Sequence, residues 1–263
     1  MKTRTSSIRD VILERGEIRV KDLCDMFPGV SPMTIRRDLA ELEAERLIVR
    51  THGGARTYVA SSREPWYKER EGVSTAQKRL IAGYAATLLQ KTRCIFLDAG
   101  TTGMNLARML PQDRLNVITS SVNTAVELAL ARPLLPVIVI GGRLNPKTLS
   151  CSGSDAQRAL DGLNIDTAFM SASGFSTGSG FTVGDFAECE LKRAVIARAQ
   201  RVIMMIDSLK TGVNMPYTFA RPRDIDVMVT DSDFPHDARK MLEEQGVEVH
   251  MTRETYSQTE SHG

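Results

Sequence analysis

Residues 31–37 read Ser-Pro-Met-Thr-Ile-Arg-Arg, and few folds accommodate such a segment. Ser31 is a good helix N-cap, and Pro32 suits the first helical position, where a missing N–H costs nothing. Ile35 and Leu39 lie four apart and predict an inward face, whereas Arg36 points away from it. A cleanly capped helix that shows short polar groups and arginines near its start suits insertion into a DNA major groove.

The flanking segments agree with this. Ile8, Val11 and Ile12 form one apolar stripe on a first helix that stops at Gly16. Residues 17–20 read as a short connection. Residues 21–27 fit a second helix, ended by Pro28 and Gly29. Three short helices with a Gly-containing turn before the third make a helix-turn-helix unit. Leu47 to Arg50 and Ala55 to Val59 then predict two strands around a His52-Gly53-Gly54 turn, the wing of a winged helix. The expected DNA-binding residues are Ser31, Met33, Thr34, Arg36 and Arg37 on the third helix, and His52 and Arg56 at the hairpin tip. Residues 1–60 hold eleven Lys/Arg against nine Asp/Glu, so charge alone does not separate a DNA reader from a dimerisation module. Distribution does more: the arginines open the third helix, and Asp38, Glu41, Glu43 and Glu45 follow later.

The chain has 263 residues, enough for two domains, and a formal net charge of +2. It is no nonspecific polycation, so any DNA contact is local. No apolar run of about 18 residues predicts a membrane span, and the N-terminus carries no apolar signal core. Cys24, Cys94, Cys151 and Cys189 are scattered without paired spacing, which argues against a zinc site and a disulfide framework. His236, His250 and His262 show no metal-ligand spacing either. The expectation is a reduced, cytoplasmic protein without metal or cofactor.

After Val59 the composition shifts. Residues 60–73 are polar and irregular, and Trp66, the single tryptophan, is expected to anchor this linker by packing. From Ser74 on, helices alternate with short apolar runs at Cys94–Leu97, Leu115–Ile118, Pro136–Ile140, Thr167–Met170, Val202–Ile206, Val227–Thr230 and Val247–His250. That alternation predicts a Rossmann-like, mostly parallel αβα domain over 74–252, with ligand at the carboxyl ends of its strands. Residues 253–263 are expected to be a disordered tail.

The strand ends carry Asp98, Gly100, Thr101, Thr102, Ser120, Gly141, Gly142, Ser171, Gly174 and Lys210, and these are the expected small-molecule contacts. Gly100-Thr101-Thr102-Gly103 leads into a helix whose free N–H groups and hydroxyls suit a phosphate. Lys210 supplies counter-charge, and Asp98 and Asp207 suit sugar hydroxyls. The patterns for a nucleoside triphosphate and for a dinucleotide are both missing. Glu188 and Lys192, four apart, predict an intrahelical pair.

Both halves resemble the DeoR family of bacterial transcriptional repressors. The N-terminal match is Val30 to Leu39, then Leu42-Glu43 and His52-Gly53-Gly54-Ala55. The C-terminal match includes Lys78 with Ile81-Ala82, Asp98 to Thr102, Gly141-Gly142, Gly174, Glu188 to Lys192 and Asp207 to Lys210. It covers about residues 5–252. The chain departs from the family pattern at Ser120 and at Ser171-Ala172-Ser173. The resemblance implies a winged helix-turn-helix domain (1–59), a linker (60–73) and a sensor domain related to ribose-phosphate isomerases and CoA transferases. It also implies a homodimer or homotetramer on double-stranded operator DNA, controlled by a phosphorylated sugar. The rival expectation is a sugar-phosphate isomerase-like enzyme with Asp98, Glu188 and Lys210 moving protons.

Overall fold

The computed structural model describes residues 4–15, 17–44, 48–51, 53–57, 65–89, 92–112 and 114–253. The chain separates into two units, Met1–Ser61 and Ser62–Gly263.

In the first unit, α1 (Arg4–Arg15), α2 (Val20–Met26) and α3 (Pro32–Ala44) enclose one apolar core. Ile8 and Ile12 of α1 meet Leu23 of α2 and Ile35, Leu39 and Leu42 of α3. The sheet beside them holds β1 (Glu17–Arg19), β2 (Ile48–Thr51) and β3 (Gly54–Thr57), in the antiparallel order β1-β3-β2. The expected connection at 17–20 is thus partly a strand, because Ile18 goes into the core and its backbone pairs with Ala55. Three residues are too few to show the period of two. Gly54 is demanded by this pairing: a Cβ there would lie 2.0 Å from the Ile18 carbonyl oxygen. Arg56 lies within the central strand, opposite Val49 and Glu17, and not at the hairpin tip. Its side chain and His52 lie outside the described residues.

The second unit begins with α4 (Tyr67–Glu71) and α5 (Thr75–Thr87). Alternating elements follow: β4 (Cys94–Leu97), α6 (Thr101–Ala107), β5 (Asn116–Thr119), α7 (Val122–Ala131) and β6 (Val137–Val139). A hairpin of β7 (Arg143–Asn145) and β8 (Ser150–Ser152) leads through α8 (Ser154–Ala159) to β9 (Ile165–Met170). Then come β10 (Gly174–Ser176), β11 (Gly180–Val183), α9 (Phe186–Ile196), β12 (Ala199–Met205), β13 (Tyr217–Ala220), β14 (Val227–Asp231), α10 (His236–Glu244) and β15 (Glu248–Thr252).

Among the described residues the main sheet has seven strands in the order β15-β14-β12-β9-β4-β5-β6, all parallel. Successive strand residues face opposite sides. Ile95, Leu97, Val117, Phe169, Ile203 and Met205 pack under α5, α6 and α7. Phe96, Ile118, Ala168, Met170 and Met204 pack under α8, α9 and α10. Both faces are covered, as an all-parallel sheet requires. A second small sheet, β10-β11-β13, was not expected from the sequence.

Within the segment expected to be an irregular linker, Tyr67–Glu71 is helical. Its anchor is Tyr67, which is buried and whose N–H donates to the Lys147 carbonyl at 2.7 Å; Trp66 is half exposed. Residues 58–64 and the tail 254–263 lie outside the described residues. Among the described residues no helix is long and apolar enough to cross a membrane, and the four cysteines are free thiols.

The close approach at Gly54 yields a direct test. Gly54→Ala forces β3 away from β1 and should cost the first unit about 1–3 kcal/mol, the usual range for overpacking. Amide hydrogen exchange of the full chain should show faster exchange in β1 to β3 and no change in the parallel sheet. Unchanged protection of β1 would contradict the pairing.

Candidate functional site

The outward face of α3 is built by its cap and its period. The Ser31 hydroxyl oxygen accepts the Thr34 N–H at 3.2 Å and shares a 2.9 Å hydrogen bond with the Thr34 hydroxyl. Ile35, Asp38, Leu39 and Leu42 are buried, which turns Met33, Arg36 and Arg37 into solvent. Asp38 does not oppose those arginines. It accepts two hydrogen bonds from Arg4 of α1, from Nε at 2.6 Å and Nη2 at 2.9 Å. Glu43 is engaged as well, accepting from the Arg50 backbone N–H at 2.9 Å and from Nε at 2.6 Å. With these two carboxylates neutralised inside the unit, the exposed start of α3 is positive, the charge a phosphate backbone attracts.

In the second unit the strand order brings three neighbouring carboxyl ends together. Asp98 follows β4, Ser171 follows β9 and Asp207 follows β12. Around them lies a small pocket, with a cavity volume of about 20 Å³, lined by Arg70, Lys78, Gly100, Thr101, Thr102, Ser171, Ala172, Met205, Ile206, Asp207 and Lys210. Gly100 sits at φ +146°, and a Cβ there would lie 3.2 Å from the Ser171 hydroxyl. It opens α6 without a side-chain cap, and first-turn N–H groups have no intrahelical acceptor. The buried Asp207 carries a carboxylate oxygen, Oδ1, with no hydrogen-bond partner among the described residues.

Lys78 of α5 is buried, and its ammonium donates to the carbonyls of Arg70 and Val73, each at 2.6 Å. Burial pulls its pKa down from 10.5 to about 8. Lys210 and Arg70 push the same way, against Asp207 and Glu71. Positive groups and hydroxyls thus converge on a small space beside one unpaired carboxylate oxygen. Such an arrangement has the chemistry to suit an anion that also carries hydroxyls.

Two family models match the chain. Residues 4–60 match the DeoR-like helix-turn-helix domain, and residues 73–232 match the DeoR C terminal sensor domain. The chain belongs to the DeoR family. Relatives align nearly end to end. The HTH-type transcriptional regulator YulB of Bacillus subtilis, itself uncharacterized, is 35% identical over 94% of this chain and 95% of its own. The glycerol-3-phosphate regulon repressor of Escherichia coli K12 is 27% identical over 94% of this chain and 98% of its own. Among solved structures, a D-ribose-5-phosphate isomerase in complex with phospho-erythronic acid aligns at 17% identity and a TM-score of 0.39. That alignment covers 52% of this chain and 54% of the other, about half the length of each.

In this DeoR-family chain, Gly100, Thr101, Thr102, Ser171 and Lys210 share one pocket. The other expected contacts do not line it. Asp98 lies beneath, where its Oδ2 accepts the Ser171 N–H and hydroxyl, each at 2.9 Å, and the Lys192 ammonium. Lys192 also reaches the Ser171 carbonyl at 3.2 Å and Glu188 at 3.5 Å. The Glu188–Lys192 pair therefore extends to a third partner in another element. Ser120 follows β5, and Gly141 and Gly142 follow β6, both outboard of β4 in the sheet. Gly174 opens β10 and packs against Val213.

Arg70 and Lys78 were not among the expected contacts. Asp207 follows a strand and was legible as a hydroxyl partner. Arg70 and Lys78 sit on helices before the first strand of the sheet, where no strand-end pattern points to them.

The Lys192–Asp98 pair has a clear energetic signature. Both side chains are only 3% exposed. Lys192→Met leaves a buried carboxylate uncompensated and should cost about 3–5 kcal/mol. Adding Asp98→Asn to that variant should restore part of the loss in denaturant titrations. A single variant as stable as the parent would refute the clamp.

Proposed function

We propose that the chain is a cytoplasmic, ligand-controlled repressor of a carbohydrate catabolic operon. It binds operator DNA as a homodimer or homotetramer, and a phosphorylated sugar or related metabolite occupies the second unit. The observation that carries the ligand class is the convergence of Arg70, Lys78 and Lys210 on Thr101, Thr102 and the free oxygen of Asp207. Phosphate takes the cations, hydroxyls and α6 N–H groups, and a ligand hydroxyl donates to Asp207. The named repressor of a glycerol-3-phosphate regulon supports the same class.

In this reading α3 enters the major groove. Arg36 or Arg37 makes a bidentate contact to guanine, Ser31, Met33 and Thr34 lie against the duplex, and His52 and Arg56 reach it from the wing. The ligand acts as an effector and leaves unchanged, since Asp98 and Glu188 are already committed to Lys192. Arg70 belongs to α4, the first element of the second unit, so an anion held by it biases the segment that leads from the DNA-binding unit. A coupling of about 1–3 kcal/mol changes operator affinity roughly 5- to 150-fold.

Inorganic phosphate and a panel of sugar phosphates should raise the melting temperature of the full chain, because a ligand of the folded state stabilises by mass action. Lys210→Ala should abolish most of that shift and keep operator binding. Arg36→Ala or Arg37→Ala should do the reverse, weakening operator binding by about 1–3 kcal/mol. Turnover of a sugar phosphate, or an equal melting shift in Lys210→Ala, would overturn the sensor assignment.

The pH dependence has a fixed sign. Lys78 is charged below about 8 and loses its proton above it. Anion binding should therefore weaken as pH rises past 8, by up to about tenfold per pH unit. Without ligand the sign is opposite. The folded pKa lies below the ordinary 10.5, so this group adds stability as pH climbs from 8 toward 10.5. Phosphate affinity measured calorimetrically from pH 7 to 9.5 tests this; a flat profile would show that Lys78 does not bear on the ligand.

A further inference from the structure

The pocket is smaller than the group it is suited to hold. Its cavity measures about 20 Å³, room for about one or two waters. A phosphate group, a phosphorus with four oxygens, is larger, so a wall has to shift before an anion enters. Most of the walls are pinned. Asp98 holds Ser171 by two hydrogen bonds. Asp207 follows β12, which is paired on both sides, and the next N–H, that of Ser208, donates to Asp231 at 2.7 Å. Beyond Lys210, the Gly212 N–H donates to the Phe175 carbonyl at 2.8 Å. Lys78 stands on α5, whose Ile81, Ala82 and Ala85 lie in the core.

The wall that carries Arg70 is held by less. Among the described residues of α4 only Tyr67 is buried. The start of the helix hangs on the Tyr67 N–H and the Lys147 carbonyl. Its end hangs on one ammonium: Lys78 takes the carbonyls of Arg70 and Val73, on either side of Gly72. The next residue, Ser74, sits at φ +52° and ψ +38°. That left-handed conformation is unfavourable for any residue with a Cβ, and it persists only while its surroundings enforce it. A short helix with one buried side chain and a strained joint belongs to the parts of a fold that open locally at low cost.

We propose that α4 is a strap that lifts from the pocket to admit the anion, hinged at residues 72–74 and latched by Lys78. The inference rests on the anion reading above and adds how that site is gated. Latch and ligand group are one nitrogen. Lys78 lines the pocket, so an arriving anion draws its ammonium away from the two carbonyls and releases the end of the strap. Lifting also lets Ser74 leave its left-handed conformation. Binding is then governed by the fraction of molecules with α4 lifted, and apparent affinity and association rate scale with that fraction.

The test uses the full chain, inorganic phosphate as the probe, and the fluorescence of Trp66, which is half exposed and adjoins α4. After rapid mixing, the observed rate in wild type should level off as phosphate rises, because opening comes first. Tyr67→Ala removes the anchor and should bind phosphate about tenfold faster. Tyr67→Phe keeps the ring and should behave as wild type. Amide hydrogen exchange in residues 67–73 should quicken when phosphate is bound, and unchanged protection of the parallel sheet shows that Tyr67→Ala is folded. If that variant does not fold, the wild-type exchange pattern decides alone. Equal association rates in wild type and folded Tyr67→Ala, or α4 amides slowed by phosphate, would overturn the strap and leave the melting shift and the sensor reading standing. No melting shift in wild type with phosphate or any sugar phosphate would sink both.

Discussion

A sheet whose strands all run one way must deliver every carboxyl end to a single edge, and the rest of this domain follows from that constraint. Loops after β4, β9 and β12 arrive side by side because those strands are neighbours. The loops are then fixed by one buried ion pair. Asp98 takes Lys192 and both donors of Ser171. The same lysine reaches back to the Ser171 carbonyl. Two strand ends and α9 are thereby tied at one point beneath the pocket. A buried pair is weak evidence of net stability, because desolvation offsets the attraction. Its value here is geometric: it sets the Ser171 hydroxyl 3.2 Å from where a Cβ at position 100 would stand, a tight contact that adds to the φ of +146° in favouring glycine there.

The first unit uses charge differently. Asp38 and Glu43 are engaged by Arg4 and Arg50, while Arg36 and Arg37 stay exposed. Asp38 sits on the buried side of α3 and would cost stability if left alone, and Arg4 from α1 satisfies it twice. That contact holds α1 against α3 and removes a negative charge next to Arg37. The net charge of the unit is small, and the distribution alone makes the exposed helix start positive. Such a surface gains little from long-range attraction, so recognition must come from fitted contacts.

Sequence reading reached the elements whose signal is local. The Ser31 cap, Pro32 and the Ile35–Leu39 spacing marked α3. Each parallel strand announced itself as an apolar run, because both faces of such a sheet are buried. Short antiparallel strands did not. β10 and β11 lie in a stretch rich in Gly, Ser and Thr that reads as loop, and their stability comes from Phe175 and Phe181 in the shared core. The site divided along the same line. Thr101, Thr102, Ser171 and Lys210 follow strands and were found. Gly141, Gly142 and Ser120 also follow strands, but the order of β5 and β6 carries them outboard, and strand order is not written in local pattern. Arg70 and Lys78 were missed for the converse reason: tertiary packing brings helix residues to a strand-end pocket.

The pocket's own electrostatics bear on how so small a space would take the proposed anion. Burial is the main cost to the Lys78 charge, and repulsion from Lys210 and Arg70 adds to it, which is why its pKa lies near 8. That cost is present whenever the pocket lacks negative charge, so an arriving phosphate gains both its own attraction and the relief of that repulsion. Lys78 meanwhile grips two carbonyls at the end of α4. Its ammonium has three donors, so an anion competes for the hydrogen that remains or draws the group from one carbonyl. Either adjustment acts on α4 and on Arg70 together. In the proposed reading, ligand charge and the position of that helix are linked through a single nitrogen.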